Sequence, residues 1–112
     1  MLMERKDDTV YIELDGPLSF GTVLSIKERI KEFLRRDDKK LILNLSKVEF
    51  VDSKGLEFII SIFERMKKNN GEFVVEYPQL GIQKLMEMAR LDQMFEVIKT
   101  PEEKTGHWSE FE

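Results

Sequence analysis

Apolar and polar positions alternate along Val10, Tyr11, Ile12, Glu13 and Leu14, the two-residue period of a half-buried strand, and Asp15-Gly16-Pro17 then breaks the run as a turn. Residues 2 to 5 carry a weaker form of the same signal and are expected to add an edge strand. A three-and-four spacing takes over at Val23, Ile26, Ile30, Phe33 and Leu34, one face of a helix for which Ser19 or Thr22 offers a capping hydroxyl. Leu41-Ile42-Leu43-Asn44-Leu45 is almost continuously apolar, as expected of a central strand covered on both faces. After Val48, Phe50 and Val51, either Asp52 or Ser53 can cap a helix that carries Leu56, Ile59, Ile60, Phe63 and Met66 on one face and stops at Asn69-Asn70-Gly71. Phe73, Val74, Val75 and Tyr77 read as a strand closed by Pro78, Ile82, Leu85, Met86 and Ala89 as a helix, and Met94, Phe95, Val97 and Ile98 as a last short strand.

This order predicts an α/β fold, a mixed and mostly parallel sheet of four or five strands with right-handed crossovers and about four helices. The strands near 10–14, 41–45, 73–77 and 94–98 should share one sheet, with Leu43, Ile60, Phe63, Val75 and Leu85 in the core. A length of 112 residues suits a single domain over 1–112. Residues 101–112 are polar except for Trp108 and Phe111, three apart, and are expected to form a short terminal helix or a flexible tail.

Charge and composition narrow the function. Lys and Arg total 18 against 22 Asp and Glu, a formal net charge of -4, so no positive field favours direct nucleic-acid binding. The mixed run Arg35, Arg36, Asp37, Asp38, Lys39, Lys40 and the pair Lys67, Lys68 read as solvated connections. There is no cysteine, hence no disulfide framework and no thiolate metal site. The start, MLMERKDD, turns charged within four residues, and no stretch is apolar enough for a membrane span, so a cytoplasmic protein is expected.

Catalytic apparatus is not visible. The lone histidine, His107, stands in the tail, no Gly-x-Ser-x-Gly elbow occurs, and the six glycines do not fall in a phosphate-loop or dinucleotide spacing. No metal or other cofactor is expected. Glu102-Glu103 suit a helix start electrostatically and need no catalytic role. The segment that stands out is Val48 to Leu56, where a buried run delivers Asp52, Ser53 and Gly55 to a helix start, the place where unpaired N–H groups favour an anion or an attached phosphate. Read locally, the same residues serve equally as a strand-to-helix turn with a cap.

Taken together, Leu41 to Leu56 resembles the signature of STAS domains, which include the bacterial anti-sigma-factor antagonists, where an apolar strand ends in D-[ST]-S-G-L at a helix start. The resemblance extends from Val10–Leu18 to Leu91-Asp92-Gln93-Met94-Phe95, which is similar to the family's G-L-D-x-x-F. It implies a non-enzymatic regulatory module whose partner is an anti-sigma factor or a serine protein kinase. It also implies a switch, because phosphorylation of the serine before the glycine breaks that complex in the family.

This chain departs from the pattern at two places. The acceptor position is Lys54, which cannot take the phosphate, and Ser19 stands where many members have aspartate. Ser53 is the one hydroxyl left in the motif, and the phosphorylation switch is expected to be absent or altered. The expected partner surface comprises Ser19, Asp52, Ser53, Lys54, Gly55 and Leu56, with Phe58 and Ile62 on the opposite helix face, either covered by a neighbouring helix or exposed as part of that patch. A monomer or weak dimer is expected. Two other readings stay open: a phosphoaspartate receiver with Asp52 and Lys99 in the reactive roles, and a STAS scaffold or nucleotide-sensing subunit of a larger assembly.

Overall fold

The computed structural model describes residues 1–103. Strand β1 (Leu2–Lys6) forms an antiparallel hairpin with β2 (Thr9–Asp15), with Asp7 at the turn in the left-handed region (φ 57°). Helix α1 (Val23–Phe33), β3 (Lys40–Lys47), α2 (Ser53–Lys68), β4 (Glu72–Glu76), α3 (Leu80–Met88) and β5 (Glu96–Ile98) follow in strict alternation. The sheet order is β1-β2-β3-β4-β5, and β2 through β5 are mutually parallel.

An order that advances one strand at a time has a direct consequence. Right-handed crossovers that all step in the same direction place every helix on the same face of the sheet. The buried residues agree, since Ile30 of α1, Phe58, Ile59, Ile62 and Met66 of α2, and Ile82 and Met86 of α3 share one core with the alternate strand residues Val10, Ile12, Leu14, Leu41, Leu43, Leu45, Phe73 and Val75. The strands' other side chains, Ile42, Val74 and Ile98, form a separate cluster on the second face, with Tyr11 and Tyr77 against it.

Local rules fix the boundaries. Asp52 caps α2, and a paired hydrogen-bond closure ends it, in which Gly71 N–H donates to the Met66 carbonyl at 2.7 Å and Asn70 N–H to that of Lys67 at 3.0 Å. Asn70 takes the left-handed conformation (φ 58°) that this closure requires. Gly16 does the same service in the turn after β2, at φ 84°.

Several expectations are corrected. Among the described residues there are three α-helices, and the other helical residues are single 3-10 turns at Leu91–Gln93 and Pro101–Glu103. The rest of the expected terminal helix, with His107, Trp108 and Phe111, lies outside the described residues. Leu43 and Val75 are fully buried, whereas Ile60, Phe63 and Leu85 are partly buried and pack at the margin of the core. Phe63 there meets Phe73 and Phe95, with ring centroids 6.3 and 5.4 Å away.

The deeply buried side of α2 is turned from the expected stripe toward Phe58 and Ile62, which are 3% and 4% exposed. Helix α1 packs alongside α2, so α2 buries both its sheet side and the side facing α1. Phe58 and Ile62 are therefore core residues and not part of an exposed patch.

The charged run after α1 is not uniformly solvated either. Asp38 is 2% exposed; it accepts from Arg5 Nε and Nη2 at 2.8 Å each and from the Arg35 N–H at 2.7 Å. The same Arg5 guanidinium donates to the Phe33 carbonyl and lies 4.4 Å over the Phe33 ring, tying the edge strand β1 to the end of α1.

Candidate functional site

At the C-terminal ends of the parallel strands, the loop after β2 and the loop after β3 meet the start of α2. Leu18 and Val51 form an isolated parallel bridge. Leu18 N–H donates to the Phe50 carbonyl at 2.9 Å, and Asp52 N–H donates to the Leu18 carbonyl at 3.2 Å. Helix α2 presses against this junction so closely that a side chain at Gly55 would strike the Leu18 carbonyl oxygen and the Val51 side chain. Glycine is thus required here by close approach, and the approach keeps the two loops and α2 in register.

Asp52 completes the junction. Its Oδ1 accepts from Gly55 N–H at 2.9 Å, capping α2, while its Oδ2 accepts from Phe20 N–H at 3.0 Å in the other loop. These donors stabilise the anion, first the Phe20 N–H and then that of Gly55, and hold its carboxyl below the usual carboxylate range. Asp52 is the cap, so Ser53 is the first helical residue and stands exposed. Of the two loop hydroxyls offered for α1, Thr22 occupies the position before the helix, but its Oγ1 donates to the Pro17 carbonyl at 2.8 Å and accepts from Ser19 N–H at 3.0 Å, bracing the loop rather than capping α1.

Lys54 projects from the exposed first turn of α2 and pairs with Glu57 at 3.1 Å. That pair leaves the lysine half exposed and contributes little to stability. Between α1 and α2 runs a shallow groove of about 210 Å³ lined by Val23, Leu24, Lys27, Lys54, Glu57 and Phe58. Phe58, buried in the core, thus also lines this groove, and Leu56 is partly buried against the core.

Three exposed apolar side chains were not singled out from the sequence as exposed: Leu24, which lines this groove, Phe20 in the loop bonded to Asp52, and Phe50 in the loop after β3, on the side of α3. Phe20 is 80% exposed, Leu24 70% and Phe50 56%. The signal was present for Leu24, which lies off the apolar face set by Val23, Ile26, Ile30 and Phe33, so its exposure follows from the helical period. Phe20 and Phe50 sit in loops, where periodicity says nothing. Ser19, Asp52, Ser53, Lys54, Gly55 and Leu56 are brought together as expected, but Ile62 lies farther along α2 in the core.

The receiver reading loses its footing in this geometry. The flavodoxin-like order of such folds is 2-1-3-4-5, whereas here the parallel strands follow chain order. Both oxygens of Asp52 are engaged by backbone N–H groups, and Lys99 pairs with Glu87 at 3.2 Å.

No helix among the described residues is long and apolar enough to cross a membrane. The chain is 23% identical over 106 residues to the anti-sigma-B factor antagonist of Listeria monocytogenes, covering 95% of this chain and 93% of that protein. It is 30% identical over 76 residues to a Bacillus subtilis protein assigned as a sulfate transporter, YvdB, but that match spans 67% of this chain and only 14% of the transporter. In three dimensions an anti-sigma factor antagonist from Mycobacterium paratuberculosis shares the fold, with a TM-score of 0.78 at 24% identity over 90% of this chain and 86% of that one. The family profile described as the STAS domain matches residues 1–104, and with the strand order, the Asp52 cap and the glycine contact at Leu18 already in place, the chain belongs to the STAS domain family.

Proposed function

We propose that this chain is an anti-sigma-factor antagonist that binds its partner through the heads of α1 and α2, without enzymatic activity, in the cytoplasm. The observation that carries the reading is the exposure of Leu24 beside Lys54 in the groove between those helices, with Phe20 exposed in the loop that Asp52 holds. Large apolar side chains held in water on a rigid frame gain free energy when another surface covers them, and mark a place where a protein can dock. Asp52 fixes Phe20 relative to α2, so the patch is held in one geometry before any partner arrives. Lys27 and Lys54 at the rim favour a partner surface with acidic groups opposite them.

An anti-sigma factor as the partner class is supported by kinship with antagonists of matching length, and a serine protein kinase as partner by the family resemblance alone. Lys54 occupies the acceptor position, so the phosphorylation switch is absent or moved to Ser53, and binding is set by protein amount or by another signal. Titration calorimetry against a purified anti-sigma factor tests the reading: Leu24→Asp should abolish binding while leaving Tm unchanged. Full affinity in that variant, or no binding by the wild type, would remove the reading.

A further inference from the structure

The groove that begins beside Leu24 and Lys54 does not end there. It continues along the seam between α1 and α2 as a depression of about 190 Å³ lined by Lys27, Ile30, Lys31, Ser61, Ile62 and Arg65. Toward the C-terminal ends of the two helices it widens into one of about 760 Å³, which shares Ser61 and Arg65 and adds Arg36, Glu64 and Lys68. On α2, Lys54, Phe58, Ser61, Arg65 and Lys68 follow at intervals of four, three, four and three residues, so one side of the helix faces the seam throughout. Ser61, the smallest of them, turns its Oγ back to the Phe58 carbonyl at 2.7 Å and so does not fill the middle of the seam.

Charge is segregated here. The chain carries a formal net charge of -4, yet Lys27, Lys31, Arg36, Arg65 and Lys68 meet along this one seam, and among the described residues none of them is in an ion pair. Of the carboxylates in the lining, Glu57 is held by Lys54, which leaves Glu64. Lys27 and Lys31 stand four apart on α1, and Arg65 and Lys68 three apart on α2, spacings at which like charges repel along a helix. The helix dipole accounts for cations in a last turn, as at Lys31, Arg65 and Lys68. It accounts neither for Lys27 in the second turn of α1, nor for Arg36 in the loop after it, nor for the convergence of all five on one seam. Cations gathered over the apolar floor of Ile30 and Ile62 match an anionic partner that also brings apolar side chains. A nucleic-acid backbone brings none, and the net negative remainder of the surface repels it.

We propose that the seam between α1 and α2 is a docking groove for an acidic amphipathic helix of a partner protein, its apolar side over Leu24, Phe58 and Ile62 and its carboxylates toward Lys27, Lys31, Arg65 and Lys68. From Lys54 to Lys68 the seam runs about 21 Å, so a partner helix of about four turns fits it. Which protein supplies that helix rests on the antagonist reading, whereas the complementarity of charge does not. The probe is a synthetic peptide of that length, stapled as a helix, with leucine along one side and glutamate on its flanks, titrated into the full chain and followed by NMR amide shifts. The amides of Lys27, Lys31, Ser61, Arg65 and Lys68 should shift together, and added salt should weaken binding several-fold. Arg65→Glu with Lys68→Glu should weaken it at least about tenfold, and Lys27→Glu with Lys31→Glu likewise, with Tm unchanged because all of these side chains reach solvent. Shifts confined to Phe20, Leu24 and Lys54 with full affinity in both double variants overturn the proposal, as does equal binding of a lysine counterpart of the peptide. So does tighter binding of duplex DNA, or of vesicles of an anionic phospholipid, than of the peptide. Absence of peptide binding, while a purified anti-sigma factor still binds through Leu24, overturns the groove and leaves the antagonist reading standing; peptide binding with no affinity for the anti-sigma factor does the reverse.

Discussion

Asp52 and Phe20, thirty-two positions apart, are joined by a 3.0 Å hydrogen bond from the Phe20 N–H to Asp52 Oδ2, while the other oxygen of the same carboxylate caps α2. One side chain thus ties the most exposed aromatic residue of the proposed docking surface to the helix that bears Lys54. Asp52→Asn can keep the cap through its carbonyl oxygen but offers only an N–H₂ group to Phe20. It should therefore retain most of the wild-type Tm and weaken partner binding, whereas Asp52→Ala should lower both. Calorimetric binding and thermal melts of the two variants separate the roles.

The same carboxylate, with Asp38, sets the acid sensitivity. Burial by itself would raise the Asp38 pKa, but the Arg5 guanidinium and the Arg35 N–H outweigh it and hold it below the ordinary carboxylate range; Asp52 is lowered chiefly by the Phe20 N–H. A group whose folded pKa is depressed contributes stability that is complete above its unfolded value and is lost as pH falls through the folded one. Tm should accordingly be flat near neutrality and fall below about pH 4. The fall should be shallower in Asp52→Asn, and an identical profile in that variant would remove Asp52 from the account.

Breaking the buried pair from one side should cost more than any surface change. Asp38→Ala leaves Arg5 facing the Phe33 carbonyl and ring without its anion, at a cost on the order of 3 kcal/mol in urea denaturation. Lys54→Ala, which removes an exposed pair, should change stability by less than about 0.5 kcal/mol.

Two glycines predict opposite signs. Gly55→Ala must displace the Leu18 carbonyl or α2 itself and should destabilise by about 1–3 kcal/mol. At Gly81, in the first turn of α3, an added Cβ meets nothing within 4 Å, so Gly81→Ala should be neutral or stabilise by up to about 1 kcal/mol. Denaturant midpoints of the pair test the close approach at Leu18.

Incubation with ATP and a kinase of the antagonist-binding class should leave the wild type without phosphate at Lys54, and Lys54→Ser should gain a stoichiometric phosphate detectable by mass spectrometry. Ser53 is exposed and does not serve as the cap, so modification of the wild type at Ser53 is the outcome that would show a switch displaced by one residue. Phe58→Ala is not a test of the docking surface, because loss of a core ring should cost about 3–5 kcal/mol and weaken binding through the fold.

The order and type of the elements, the parallel sheet and the meeting of Asp52, Lys54 and Gly55 at a helix start were legible in the sequence, because each depends on residues close together along the chain. A two-residue period marks a strand and a three-and-four period a helix whatever lies opposite, and Asp52 caps a helix whose N–H groups are its own neighbours. What covers a given helix side was not legible. Phe58 and Ile62 look outward from α2 when it is read alone, and they are buried because α1 lies beside it. Asp38 reads as one charge in a mixed run until the edge strand brings Arg5 to it, thirty-three residues away. Phe20 comes to the start of α2, beside the proposed docking surface, only through the Leu18–Val51 bridge and the Phe20–Asp52 bond that draw the two loops together. Local periodicity records which side of each element is apolar; which sides meet, and which remain in water, is decided by long-range pairing that no window of the sequence contains.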